Sequence, residues 1–443
     1  MALSGLDIYK LLPKTNCREC GFGTCLAFAM QLAKKAVSID KCPYVSVEAK
    51  QALESASQPP IRPVEIGSGE KKLVLGNETV LFRHEEKFRN PCGIGFILDD
   101  TASETEYKKV LVRINSLSFE RVGQQLSVNL IAVKNTGDAK RFTAAVKIIS
   151  ENTVFPLVLM SDNVSALQDA LAVCADKRPL VYKATQENYA ELVPVIKKYN
   201  VPLVVSASTV EGIAGLTQEL VKSGIQDLML DTGIKPIKDK LWDFTQFRRL
   251  ALKKANRSVG YPVFVVVEQS DSFTEAHEAA TYILKYASIV LLRGMENWEI
   301  LSLLTLRQNI YSDPQKPLQI EPKLYPVGAV NATSPVLITT NFSLSYYTVL
   351  SEVEASKVPA YILSVDTEGM SVLTAWAAEK FTPEKIADFL NKSGTTGIVS
   401  HRNLIIPGYV AGMSGDLEEK SGWKIIVGPK EAAALPSFMK NLH

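Results

Sequence analysis

Four of the six cysteines lie within 26 residues: Cys17, Cys20, Cys25 and, after a gap of sixteen, Cys42, which is followed by Pro43. Thiolates that close on one point in a reduced protein hold either a [4Fe–4S] cluster or zinc. A proline after the last ligand is a habit of cluster-binding runs, whereas zinc ribbons use two separated C-x-x-C pairs. Gly21 and Gly23 let the backbone fold over inorganic sulfides and aim N–H groups at them, which tunes the potential. A cubane is the expected occupant, zinc the alternative, and electron transfer the expected task of this end of the chain. Cys174 falls in the amphipathic stretch 165–175 and reads as a packed core thiol. Cys92, between Pro91 and Gly93, has no spacing that supports a fifth ligand.

A second set of candidate residues recurs toward the carboxyl terminus. Four loops, 339–347, 366–376, 394–397 and 407–416, are rich in glycine and in serine or threonine hydroxyls. Gathered on one rim at the strand ends, backbone N–H groups, hydroxyls and helix N-termini suit a large ligand with amide and phosphate appendages. The same residue types are what turns and caps require. No loop matches G-x-G-x-x-G, and no Ser-His-Asp order, H-E-x-x-H or P-loop occurs. The four histidines are His84, His277, His401 and His443, of which His401 alone is expected near the rim. Asp231-Thr232-Gly233 and Glu268 close candidate strands, where acids are often catalytic and equally often plain turn residues. No catalytic residue is assigned.

The elements that must position these groups follow from composition and periodicity. A chain of 443 residues should form two to four domains, and 46% apolar with 22% charged residues is ordinary for a soluble globular protein. A net charge of +2 gives no electrostatic case for nucleic acid or an anionic membrane. No charged-then-apolar leader and no apolar run near eighteen residues is present, so the expected compartment is the cytoplasm, where thiols stay reduced. Residues 1–57 read as the cysteine module, with helical spacing at 6–12 and 25–35, too small to fold on its own core. Residues 58–92 form a linker that opens stiffly with Gln58-Pro59-Pro60-Ile61-Arg62-Pro63 and continues as short strands over 64–87, a small cap on the next domain.

From 93 to 322 strand and helix alternate. Nearly continuous apolar runs at 95–98, 126–133, 156–160, 180–183, 203–207, 228–230, 263–267 and 289–292 are the pattern of parallel strands covered on both faces. That is the arithmetic of a (β/α)8 TIM barrel, with a long doubly wound sheet as the alternative. After a proline-rich break at 315–326, residues 323–443 place strands at 335–339, 360–364, 404–407 and 424–427 and helices at 373–379 and 383–391, the size of a flavodoxin-like or Rossmann domain. The expected class is α/β throughout.

The Cys17-x-x-Cys20-x4-Cys25-x16-Cys42 set with Gly21-Phe22-Gly23, the central barrel, and Asp366-Thr367-Glu368-Gly369-Met370-Ser371-Val372 together resemble a known family over essentially the whole chain. It is the large (gamma) subunit of the corrinoid iron–sulfur protein of the reductive acetyl-CoA (Wood–Ljungdahl) pathway. The resemblance implies a [4Fe–4S] cluster on Cys17, Cys20, Cys25 and Cys42 and a cobamide, a B12-type corrinoid, held by the C-terminal domain. Thr340, Tyr346, Gly369, Met370, Ser371, Val372, Leu373, Thr374, Gly394, Gly397, Gly412, Met413 and Gly415 are the positions expected to line it. Thr374 is expected to present its hydroxyl to the cobalt-facing side, and Gly369 and Gly412 to tolerate side chains least.

Many cobamide-binding carriers supply a lower-face cobalt ligand from D-x-H-x-x-G; the matching place here reads Asp366-Thr367-Glu368-Gly369, with no histidine. The chain is similar to the family in implying cobalt without a protein axial ligand, which makes reduction to Co(I) less unfavourable. The implied partners are a smaller barrel subunit in a heterodimer, a methyltetrahydrofolate methyltransferase, and CO dehydrogenase/acetyl-CoA synthase. The implied reaction moves the methyl group from methyltetrahydrofolate to Co(I) and on to acetyl-CoA synthase, the cluster returning stranded Co(II) to use. Two rivals stand beside it: a folate-binding barrel methyltransferase with its site near Asp231, and an iron–sulfur activator of another corrinoid protein.

Overall fold

Eight short apolar runs become eight parallel strands of one closed barrel. In order around it they are Gly93–Asp99, Leu130–Lys134, Leu157–Met160, Leu180–Ala184, Leu203–Ser206, Leu228–Asp231, Val263–Val266 and Ala287–Leu292. The last pairs with the first, Ile289 against Gly93 and Leu292 against Phe96. The computed structural model describes residues 5–33, 36–46, 49–50, 59–267, 269 and 271–442, so Gln58, Glu268 and His443 lie outside the described residues. Side chains alternate along each strand, and those turned inward (Ile97, Leu130, Ala132, Val158, Leu180, Val204, Met229, Phe264, Ile289 and Leu291 among them) fill the lumen as one core.

The outer helices start where capping residues dictate. Ser103 and Glu106 form a reciprocal capping box on Glu104–Ser116, and Asp138, Asn163, Thr209 and Asp271 cap four later helices. The hairpin Val64–Ile66 and Leu73–Leu75 plugs the barrel: Val64, Ile66 and Leu75 join the lumen core. Arg248, on the helix Ile237–Lys253, donates to Glu78 Oε2 at 3.1 Å, both side chains being buried. Burial pushes the Glu78 carboxyl up and the neighbouring guanidinium pulls it back. Removing one partner of such a pair costs about 3–5 kcal/mol.

One expected strand is corrected. The run 126–133 is two elements: Gln124–Ser127 pairs in a hairpin with Ser118–Arg121, and the barrel strand begins only at Leu130. Apolar continuity does not reveal the break, because Leu126 before it and Val128 within it are both buried.

By compactness the chain divides into two units, Met1–Ser118 with Ser127–Tyr311, and Phe119–Leu126 with Ser312–His443. The second is built on a five-stranded sheet. Its parallel strands are Val336–Thr340, Ala360–Val365, Asn403–Ile406 and Lys424–Val427, and its order places Val336–Thr340 between Ala360–Val365 and Asn403–Ile406. Strand order therefore reverses between Val336–Thr340 and Asn403–Ile406, the switch point of such a sheet. The fifth strand, Leu324–Val327, pairs antiparallel with Ala360–Val365 at the edge. The proline-rich break expected over 315–326 thus ends in a strand, and Pro326 is tolerated because an edge leaves one side unpaired. The two sheet faces bury separate cores, one around Ile338, Phe381, Leu390 and Trp423, the other around Tyr325, Tyr346, Val353 and Leu435. No helix among the described residues is long and apolar enough to cross a membrane.

Candidate functional site

The cysteine segment is a tight, strained loop between two short helices, Gly5–Leu11 and Cys25–Ala33. Three non-glycine residues around the first cysteine, Lys14, Asn16 and Arg18, hold left-handed backbone, with Gly21 following at φ +84°. Left-handed conformation costs an ordinary L-residue roughly 1–2 kcal/mol, so the loop keeps this shape only because its surroundings enforce it. Two side-chain bridges do so. Asn16 Oδ1 accepts from the Cys25 amide at 2.8 Å, and the Tyr44 hydroxyl donates to Glu19 Oε1 at 2.7 Å. That acceptor raises the Tyr44 phenol. Cys25 and Cys42 are buried with Ile8, Leu12 and Phe28, Cys20 packs against the same core, and Cys17 is exposed. All four are free thiols, the donor set a cluster takes.

Cys92 and Cys174 differ in kind. Both are buried, and burial pushes both thiols up to about 12. Cys174 Sγ donates to Ala170 O at 3.3 Å, the local bond of a packed helical cysteine.

At the carboxyl edge of the second unit's sheet the structure brings together Thr340, the loop Gly369–Thr374, Gly412 and Gly415. The helix Val372–Ala377 begins at Ser371 and packs against both Gly408–Met413 and Val336–Thr340. Ser371 and Thr374 hydroxyls lie 3.0 Å apart, and Leu373 and Thr374 are exposed. A cavity of about 320 Å³ opens at the switch point, lined by Thr339, Ser345, Val372, Pro407, Tyr409 and Lys430 among others. Leu344, Leu373, Trp376 and Tyr409 stand 46–65% exposed near this edge, more apolar side chain than isolated surface positions explain. The buried Thr340 Oγ1 and Ser364 Oγ have no hydrogen-bond partner among the described residues.

Other expected positions fall elsewhere. Tyr346 is buried in the opposite core, its ring 4.8 Å from Tyr325, and burial raises its phenol. Met413 is buried in the core beneath the edge, and Met370 packs against that core. Gly394 and Gly397 are corrected: they sit at the amino edge, not on the rim. Gly394 caps, and Gly397 lies within, the short helix Thr395–Ile398 that follows the return helix Pro383–Lys392, and a βα unit must bring the chain back to the sheet's starting edge before the next parallel strand. His401 lies there too, with Nε2 2.9 Å from Ser334 O and Nδ1 accepting from the Asn403 amide at 3.1 Å. At the barrel's carboxyl end Asp231 is engaged at both oxygens, Oδ2 by the Tyr182 hydroxyl at 3.0 Å and Oδ1 by the Gly233 amide at 2.9 Å.

Residues 63–439 match the family model described as CO dehydrogenase/acetyl-CoA synthase delta subunit, and residues 12–44 match a model for an Fe-S cluster segment. The corrinoid/iron-sulfur protein large subunit of Moorella thermoacetica is 45% identical over 441 residues, covering 99% of each chain. The chain belongs to the corrinoid/iron–sulfur protein large-subunit family. The acetyl-CoA decarbonylase/synthase complex subunit gamma of Methanothermobacter thermautotrophicus is 36% identical over 456 residues, covering 100% of this chain and 99% of that one. In this large-subunit chain, sequence reasoning passed over Asn16 and Asn341, whose partners are set by the fold. Only their tolerance of turn and left-handed conformations marks them in the sequence.

Proposed function

We propose that this chain is the large subunit of a methyl carrier of the acetyl-CoA pathway. It takes a methyl group from methyltetrahydrofolate on a separate methyltransferase and passes it to acetyl-CoA synthase, with a small barrel subunit as its heterodimer partner. When bound, the corrinoid supplies a cobalt atom that accepts and releases the methyl group, and a [4Fe–4S] cluster supplies the electron that restores its reduced form. Cys17, Cys20, Cys25 and Cys42 would hold the cluster; Cys20, Cys25 and Cys42 share one small core, and Cys17 stands exposed.

The observation that carries the reading is the cavity at the switch point, lined by Leu344, Val372 and Tyr409 among others, with Leu373 and Trp376 exposed on the adjoining helix Val372–Ala377. It supports a broad, largely apolar ligand with a buried appendage, at the place where open α/β sheets bind theirs. The exposed Gly412 and Gly415, where an added Cβ would meet nothing, leave backbone open to a ligand bearing amides. Thr340, Gly369–Thr374, Gly412 and Gly415 would line it. The strand order supports a flavodoxin-like corrinoid-binding domain over 323–443, beside a cluster module over 1–57, a linker over 58–92 and the barrel over 93–322. The chain's own residues bind, orient and shield; no general acid or base is assigned.

The test is an anaerobic spectrum of the purified protein with metal counts. Corrinoid absorbance beside a cluster shoulder, with cobalt and iron in a one-to-four ratio, is the expected result. A cluster without cobalt would favour an activator, and folate binding without corrinoid an enzyme with its site in the barrel.

A further inference from the structure

Beneath the loop 366–370 lies a single buried amide that touches nearly every part of it. Asn341 is 1% exposed. Its Oδ1 accepts from the Thr367 amide at 3.0 Å and the Gly369 amide at 3.1 Å, and lies 3.1 Å from the Thr367 hydroxyl. Its Nδ2 donates to Asp366 Oδ1 at 3.1 Å and to Gln319 Oε1 at 3.2 Å. Its own backbone N–H donates to Val365 O and its carbonyl accepts from the Ile320 amide. Three segments far apart in sequence meet at this residue.

The loop needs such a hub. Glu368 and Gly369 are successive left-handed residues, at φ +56° and +74°, a conformation unfavourable for glutamate. Asp366 Oδ1 also accepts from the Glu368 amide at 2.9 Å, so the turn is held from both ends. A Cβ on Gly369 would come within 2.7 Å of Gln319 Cγ, which leaves glycine as the residue that fits. Immediately after, Ser371 starts the helix Val372–Ala377, and its carbonyl accepts from Ala375. Any shift of 366–370 therefore carries Ser371 and Thr374 with it.

We infer that Asn341 is a positioning residue for the corrinoid, holding the loop 366–370 in its ligand-ready shape before the cofactor arrives. The inference rests on the reading that this edge binds a corrinoid, and it adds a residue that does not itself touch the ligand. Ordering a loop in advance removes that cost from binding. Only a primary amide serves. Aspartate would set a carboxylate against Asp366 and Gln319 Oε1, while alanine would leave the buried Thr367 and Gly369 N–H groups without an acceptor.

The test uses the full chain loaded with corrinoid, as wild type, Asn341→Ala, Asn341→Asp and Asn331→Ala. Asn331 is the control: its Oδ1 accepts from the Thr333 amide at 2.8 Å in a turn at the opposite edge. Both Asn341 variants should release corrinoid about tenfold faster on dilution, the loss of one to two net hydrogen bonds. What they retain should show an altered absorption and electron paramagnetic resonance spectrum. Asn331→Ala should release it at the wild-type rate even if it melts as early. Should Asn341→Ala unfold, Asn341→Asp, which keeps a side-chain acceptor for the Thr367 and Gly369 amides, decides. Folded Asn341 variants with unchanged release and spectrum overturn the inference alone, as does equal loss from Asn331→Ala. A wild-type chain that takes up no corrinoid overturns the reading of the edge and this inference with it.

Discussion

Asn16 and Cys25 are joined by a 2.8 Å hydrogen bond that ties the strained cysteine loop to the first residue of the helix Cys25–Ala33. The bond satisfies a helix amide that would otherwise lack a partner, and it fixes the left-handed turn at Asn16. Asn16→Ala should cost about 1 kcal/mol of local stability. Iron release to a chelator should quicken several-fold. Asn16→Gly, which keeps the backbone freedom and loses the acceptor, should behave like the alanine variant. If it behaves like wild type, the bond is unimportant.

The cysteines themselves should divide cleanly. Cys20→Ala should abolish or convert the cluster, whereas Cys174→Ala should leave iron content unchanged and lower stability by about 1 kcal/mol through a small cavity. Iron and sulfide counts per chain decide it. Loss of iron from the Cys174 variant alone would reverse the assignment.

Gly412 offers a clean probe of the carboxyl edge. It is exposed, its φ is not left-handed, and an added Cβ meets nothing within 4 Å. Gly412→Val should therefore change stability by no more than about 0.5 kcal/mol, yet lose corrinoid while keeping its iron. Gly369 is a poor probe by contrast, because substitution there already collides with Gln319. A Gly412→Val protein with full cobalt content would remove this edge from the site.

His401 should not ligate cobalt. The Asn403 amide donates to Nδ1, so the ring proton sits on Nε2 and is given to Ser334 O, at the amino edge of the sheet. Electron paramagnetic resonance of the Co(II) protein should lack axial-nitrogen splitting, and His401→Ala should leave the spectrum unaltered. Splitting that vanishes in that variant would disprove the ligand-free reading.

Glu299 should make stability depend on pH. It is fully buried on the helix Asn297–Tyr311, and its oxygens face no donor among the described residues. Burial first, and then the neighbouring Glu275, raise its carboxyl to about 7. Both causes favour a proton on Glu299 in the folded protein. Folded protein binds that proton more tightly than unfolded chain, so this contribution is fully present below about pH 4.5 and is lost as pH rises through 7. The loss is on the order of 3 kcal/mol. The melting temperature should fall between pH 5 and 8, and Glu299→Gln should flatten the fall. An unchanged slope in that variant would place the dependence elsewhere.

The four candidate ligands were legible because they lie close along the chain, so spacing alone brings Cys17, Cys20, Cys25 and Cys42 into one module. The barrel was legible for a related reason. Strands buried on both faces must be apolar throughout, and the eight runs show it, although the Gln124–Ser127 hairpin hid inside one of them. Leu324–Val327 escaped notice because a proline argues against a strand until an edge is known to exist.

What sequence could not decide was which loops share an edge. Gly394 and Gly397 have the composition of the rim but stand at the other end of the sheet, since direction of travel, and not residue type, assigns a loop to its edge. Tyr346 and Met413 belong to the right segments yet turn into the cores. Asn341 looks like one more polar turn residue until the fold sets Gln319, Asp366, Thr367 and Gly369 around it. The sequence by itself determined the ligand types and the strands, because both are written in local spacing. Tertiary structure alone decided which of those residues face a common ligand, because hydrogen bonds and packing between distant segments depend on chain reversal and burial that no local pattern records.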